Sequence, residues 1–182
     1  MLLLGCKPPG RRTEQHDIFF GMANSLKDLR PAIIAAWPEA NKKIHVDAWR
    51  EVNYVEGYAV EVYEKATSEM IVTEQKIKLF FLNLGGYKEN EFEEFHYKIV
   101  VASENKSGAI MQAKATAFYK HTGFKGATSH IDDKYGVDVD DIFEIEEILT
   151  PDLKEKYGLR ISPDSRGRED KLHMGYFKLD KL

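Results

Sequence analysis

Cysteine is nearly absent: Cys6 stands alone among 182 residues. It cannot close an internal disulfide and has no Cys-x-x-Cys partner, so a disulfide scaffold is excluded and a reducing, cytoplasmic location is expected. A surplus of positive charge is missing too. With 26 Lys and Arg against 30 Asp and Glu, a formal charge of -4 and a pI near 5.9, the chain lacks the clustered cations from which a nucleic-acid binder draws its affinity. Long apolar runs are also wanting. Met1 to Cys6 is apolar but too short for a membrane span or a signal core, and no basic segment precedes it. Neither a nucleic-acid nor a membrane partner is therefore expected. What remains, 43% hydrophobic and 31% charged residues, is the composition of an ordinary globular protein.

The pattern that is present is a repeat. Leu4-Gly5 followed by Glu14-Gln15-His16 returns without a gap as Leu84-Gly85 followed by Glu94-Phe95-His96. His45-Val46-Asp47 returns as His130-Ile131-Asp132 at a slightly longer offset, which Val52, Tyr58 and Val60 share with Val137, Phe143 and Ile145. One inserted stretch accounts for the difference. Repetition of this length points to one supersecondary unit used twice. Because small domains bury a smaller share of their surface, about 60% at 60 residues against about 70% at 150, two fused units sharing a core are expected.

Leu2 to Cys6 reads as a strand ended by Lys7-Pro8-Pro9-Gly10, and Lys78 to Leu84 as its counterpart ended by Gly85-Gly86. His16 to Ala23 suits a helix or a strand. The copy decides for a strand, since Phe95, Tyr97, Ile99 and Val101 alternate with His96 and Lys98. A helix is expected over Leu26 to Trp37, opened by Ser25 with Asp28 at the capping-box position, and started late or distorted by Pro31. Its alanine-rich counterpart spans about Ser107 to Lys120, with Ile110, Ala113 and Ala117 inward. Ile44 to Arg50 and Tyr58 to Tyr63 then read as a strand pair, copied as Ser129 to Tyr135 and Ile142 to Leu149. The expected fold is α+β: two fused pseudo-symmetric ββαββ units, residues 1–64 and 76–149, mainly antiparallel, with one helix each, in one compact domain. Residues 150–182 have no counterpart. They are expected as a C-terminal extension capping the sheets, with a short helix at Pro151 to Tyr157, a polar loop at Ser162 to Lys171 and a strand at Met174 to Leu179.

The candidate chemistry lies in the repeated pairs. At β spacing Glu14 and His16 share one face of their strand, and His45 and Asp47 share one face of theirs, with like-facing residues about 7 Å apart. Ile44, Val46 and Ala48 take the opposite face, suited to meeting the helix. If the two strands are neighbours, two imidazoles and two carboxylates converge. Three roles fit that set. The favoured role is a structural hydrogen bond that pins the sheet; next comes a ligand or acid-base site, since a histidine beside an aspartate can act as a general base; third, His16, His45 and Asp47 are candidate ligands for zinc, iron or manganese. Glu94, His96, His130 and Asp132 form the second copy of the candidate set. Asp17, beside His16, points to the other face.

Other features carry less chemistry. Gly85-Gly86 opens no helix and reads as a turn rather than a phosphate loop. Asp138-Val139-Asp140-Asp141 lacks the glycine and glutamate of a calcium loop and reads as a solvated hairpin; Arg160, Arg166, Arg168 and Lys171 are expected to pair with this run rather than to grip an anionic ligand. Trp49 shares the face of His45 and Asp47 and is a candidate pocket wall, although Trp37 and Trp49 both suit packing.

Leu2-Leu3-Leu4-Gly5, Glu14-Gln15-His16-Asp17-Ile18-Phe19-Phe20, the Ser25 helix ending at Trp37-Pro38-Glu39, and Ile44-His45-Val46-Asp47-Ala48-Trp49 together resemble the bacterial family of domain of unknown function 1543. The resemblance is close to about Val55 and, through the duplication, extends to Leu149. It implies a bacterial, cytosolic, duplicated protein and brings no catalytic residue or cofactor. The second unit departs from the pattern at Phe95 and Tyr97, where the first has Gln15 and Asp17. Two functions are expected from all this. The first is a non-catalytic binding or interaction module, with a homodimer through open strand edges and an unnamed small ligand; the alternative is a small metal-binding or acid-base enzyme using Glu14, His16, His45 and Asp47.

Overall fold

The computed structural model describes residues 1–41, 43–65, 75–87, 90–115 and 137–182. In chain order the described strands are β1 Leu2–Cys6, β2 Gln15–Phe19, β3 His45–Trp49, β4 Tyr54–Val55, β5 Tyr58–Glu64, β6 Lys78–Tyr87, β7 Glu94–Ser103, β8 Val137–Glu144, β9 Tyr157–Pro163 and β10 His173–Lys178. The α-helices are α1 Arg30–Ala36, α2 Lys106–Lys114, α3 Ile145–Ile148 and α4 Pro151–Lys156. The fold is α+β with antiparallel pairing. By internal contacts the chain divides into two compact units. Unit 1 is Met1–Tyr54 with Leu149–Glu155 and Arg168–Leu182, and unit 2 is Val55–Ile148 with Lys156–Gly167.

Unit 1 is a sheet of order β10-β3-β1-β2. Alternation sends Leu2, Leu4 and Cys6 of β1 to one face, where they join Val46, Leu29 and Ile33 in the core. Pro31 lies in the first turn of α1, the one part of a helix where its missing N–H costs nothing. The α-helix therefore starts at Arg30, after a 3-10 turn over Leu26–Leu29. The Ser25 hydroxyl donates to the Asp28 carboxylate at 2.7 Å, a side-chain version of the expected cap. Cys6 is buried and its thiol donates to the Ala40 carbonyl at 3.7 Å. Burial pushes that thiol up, which leaves it a poor nucleophile.

Unit 2 contains a sheet of order β7-β6-β8 and another of order β4-β5-β9. Phe80, Leu82 and Leu84 on one face of β6 pack on Ala109 and Ala113 of α2, small residues that let helix and sheet approach. The Asn105 side chain caps α2 by accepting from the Gly108 N–H at 2.9 Å. Glu56 and Gly57 turn between β4 and β5 with φ of +48° and +95°, as a two-residue hairpin needs.

Four expectations are corrected. β5 pairs with β9, from Tyr58 opposite Pro163 to Glu64 opposite Tyr157, and not with β3. Both edges of β3 are already taken by β1 and β10, so the two strands expected as a pair lie in different sheets. The strand expected over Ile142 to Leu149 ends at Glu144, and α3 follows. Ile145 and Leu149 are both buried, and their spacing is that of one helical face. Gly85-Gly86 and the acidic run lie within β6 and β8 rather than in a turn and a hairpin. Finally, residues 150–182 extend two sheets edge to edge through β9 and β10 instead of capping them. The expected strand Ser129 to Tyr135, with Ala117 and the end of its helix, lies outside the described residues.

Candidate metal centre

In unit 1, Gly5 pairs with His16 on β2 and with His45 on β3, so the three stand in a row across the sheet. Glycine is required in the middle. A Cβ there would sit 2.4 Å from His45 Nε2 and 2.5 Å from Asp47 Oδ2, closer than side-chain atoms approach. On β3, Val46 pairs with Leu4 and Ala48 with Leu3, which leaves Asp47 as the additional residue of a β-bulge. Bulges redirect a side chain; this one holds the Asp47 carboxylate over Gly5.

All four residues named from the sequence meet there. His45 Nε2 lies 3.1 Å from Glu14 Oε1 and 3.2 Å from Asp47 Oδ1, while His16 Nε2 lies 3.2 Å from Asp47 Oδ2 and 4.0 Å from Glu14 Oε2. Burial is uneven: the His45 side chain is 8% exposed and that of His16 43%. Tyr176 of β10 covers His45, with ring centroids 4.2 Å apart. Trp49 is stacked flat on His173 at 4.0 Å. Asp17 turns away and accepts from the Ile18 N–H.

Hydrogen bonding alone leaves this arrangement incomplete. A single imidazole nitrogen carries at most one hydrogen, so His45 Nε2 cannot donate to both of its carboxylates. Asp47 Oδ2 is buried with His16 Nε2 3.2 Å away but out of hydrogen-bond geometry, a condition that asks for an ion, a water or a protonated imidazole. The spacing suits an ion. Donors about 2.0–2.1 Å from a tetrahedral metal stand about 3.3 Å from one another; three of the imidazole–carboxylate separations are within 0.2 Å of that value, but each carboxylate turns a different oxygen to each imidazole, so the four side chains must close in to share one ion.

Unit 2 builds a related set on its own sheet. Gly85 pairs with His96 and with Asp138. Val139 pairs with Leu84 and Asp141 with Asn83, which makes Asp140 the bulged residue. His96 Nε2 is 3.3 Å from Asp140 Oδ2 and 3.9 Å from Glu94 Oε2. A Cβ on Gly85 would lie 2.4 Å from Asp140 Oδ2. His130 and Asp132 lie outside the described residues, and the place that Asp47 takes in unit 1 is taken here by Asp140. Sequence reasoning missed Gly5, Gly85, Asp140 and Tyr176. The repeated Leu-Gly at the end of an apolar strand was the available signal, since glycine within a strand marks a bulge or a close approach.

No curated protein matches the chain. The crystal structure of protein Il1583 from Idiomarina loihiensis has a similar fold, with a TM-score of 0.60 at 19% identity, covering 98% of this chain and 94% of that one. The model of the family Domain of Unknown Function (DUF1543) matches residues 11–62, the stretch that carries Glu14, His16, His45 and Asp47.

Proposed function

We propose that the protein is a metal-binding module whose unit 1 site holds one divalent ion of the zinc class through Glu14, His16, His45 and Asp47. The observation that carries this reading is the buried Asp47 Oδ2, 3.2 Å from His16 Nε2 yet not hydrogen-bonded to it, where two imidazoles and two carboxylates converge. Two neutral imidazoles and two carboxylates neutralise a divalent cation, so the loaded site buries no net charge. Four protein ligands close a tetrahedral shell, and a closed shell favours holding the ion over catalysis at it. The lone buried Cys6 supports a reducing, cytoplasmic setting. The common order β2-β1-β3 and β7-β6-β8, with a bulge at the same place in each, supports a duplicated unit. β2 and β10 lie at the edges of the described unit 1 sheet and support a homodimer by edge pairing, to be read by light scattering.

The test is elemental analysis of protein purified without an affinity tag, together with thermal melts with zinc and with chelator. We expect near-stoichiometric metal and a melt that chelator lowers, with both effects lost in Asp47→Asn. A metal-free protein whose melt ignores zinc and chelator overturns the proposal and leaves His45 and its carboxylates as a structural pair.

A further inference from the structure

We infer a second, open metal site in unit 2, made by Glu94, His96 and Asp140 and suited to a harder ion of the manganese class. It rests on the same metal-binding reading for its chemistry, but on different residues and a different sheet. One ligand atom from each of the three lies within 4.8 Å of the others. The carboxylate of Asp140 is held over Gly85 by a bulge, the device that places Asp47. A further observation points to something that fills the space. Asn83 stands two residues from Gly85 on the same face of β6, and its Oδ1 is buried with no hydrogen-bond partner, while its amide donates to Asp141 at 3.3 Å. A water bound to an ion beside Asp140 supplies the donor that this oxygen lacks.

The donor set decides the kind of ion. One imidazole and two carboxylates offer mostly oxygen, which suits manganese or magnesium better than the nitrogen-rich set of unit 1 suits them. Among the described residues three ligands meet here, and water fills the remaining coordination positions. All three side chains are accessible, at 30–41% exposure, so this ion is exchangeable and binds more weakly than the one in unit 1.

The experiment is a Mn²⁺ titration of the full chain preloaded with one equivalent of Zn²⁺, followed by the free-ion paramagnetic resonance signal and by water proton relaxation. One Mn²⁺ is expected to bind with enhanced relaxation. Asp140→Asn is expected to weaken it at least ~100-fold, since changes in the outer shell alone cost about 10–100-fold. His96→Gln should do the same and decides the matter if Asp140→Asn fails to fold. Zn²⁺ binding should survive both changes and fall in Asp47→Asn. Manganese binding that is absent, or is equal in all variants, overturns the second site and leaves the first standing. Loss of manganese with no effect of Asp47→Asn on zinc overturns the first and leaves the second.

Discussion

The two bulged sheets make the same polar corner from different surroundings. Each has a glycine on its central strand, a Glu-x-His on one neighbour and a bulged aspartate on the other. They differ opposite the glycine, where unit 1 has His45 and unit 2 has Asp138. Unit 1 also has a fourth strand, β10, whose Tyr176 lies on His45. The lesson is a division of labour. Glycine and bulge position the carboxylate, whereas on the proposed metal-binding reading the residue opposite the glycine and the flanking strand would set how many donors an ion meets and how far water is kept away.

The largest effect that breaks this comparison is expected from adding one methyl group to each floor. In Gly5→Ala the new carbon meets the buried His45 ring as well as Asp47, so neither can yield without the other. Zinc affinity should fall at least ~100-fold, and overpacking should cost about 1–3 kcal/mol of stability. In Gly85→Ala the three atoms nearest the methyl all belong to the Asp140 carboxylate, which is about one-third exposed, whereas the His45 ring beside Gly5 is buried. A chromogenic chelator competition and a denaturant melt read both variants. Equal losses in the two would show that burial of His45 does not distinguish the sites.

His45→Asp comes next, because it gives unit 1 the residue that unit 2 carries at that register. Removing one of two imidazoles should lower zinc affinity by about 10–100-fold and narrow the preference for zinc over manganese. Competition between the two ions measures that ratio. An unchanged ratio would place the selectivity elsewhere than in the donor set.

How much of this was legible in the sequence follows from the same parts. Period-two alternation in Leu2, Leu4 and Cys6, and in Phe80, Leu82 and Leu84, is a local signal, and it identified the strands and their inward faces. That Glu14 and His16, and His45 and Asp47, each share one face was legible; their meeting was expected of neighbouring strands, whereas β1 lies between β2 and β3 and only Gly5 leaves room for the side chains to meet across it. Strand partners were not legible. That β5 lies beside β9, with nearly a hundred residues of chain between them, is decided by which edges remain open, and no local pattern records it. Asp140 was hidden because it lies well off the constant offset that matches His45-Val46-Asp47 to His130-Ile131-Asp132, and letter matching followed that offset. Tyr176 was out of reach because its strand has no counterpart in the repeat.

Tyr176→Ala should have the smallest effect of the three and is the most specific to the difference between the units. The tyrosine ring lies over His45 at a tilt of 32° and is itself two-thirds exposed, so its loss removes cover without opening the core. No proposed ligand is lost. Admitting water beside a bound ion weakens its electrostatic hold and speeds exchange, and the expected fall in zinc affinity is about tenfold, at the lower end for changes outside the ligand shell. Tyr176→Phe keeps the ring and should keep the affinity, which separates shielding from any role of the hydroxyl. The exchange rate of bound zinc into a chelator is the sensitive readout. If both variants release zinc at the wild-type rate, β10 does not account for the difference between the sites, and the number of donors alone must do so.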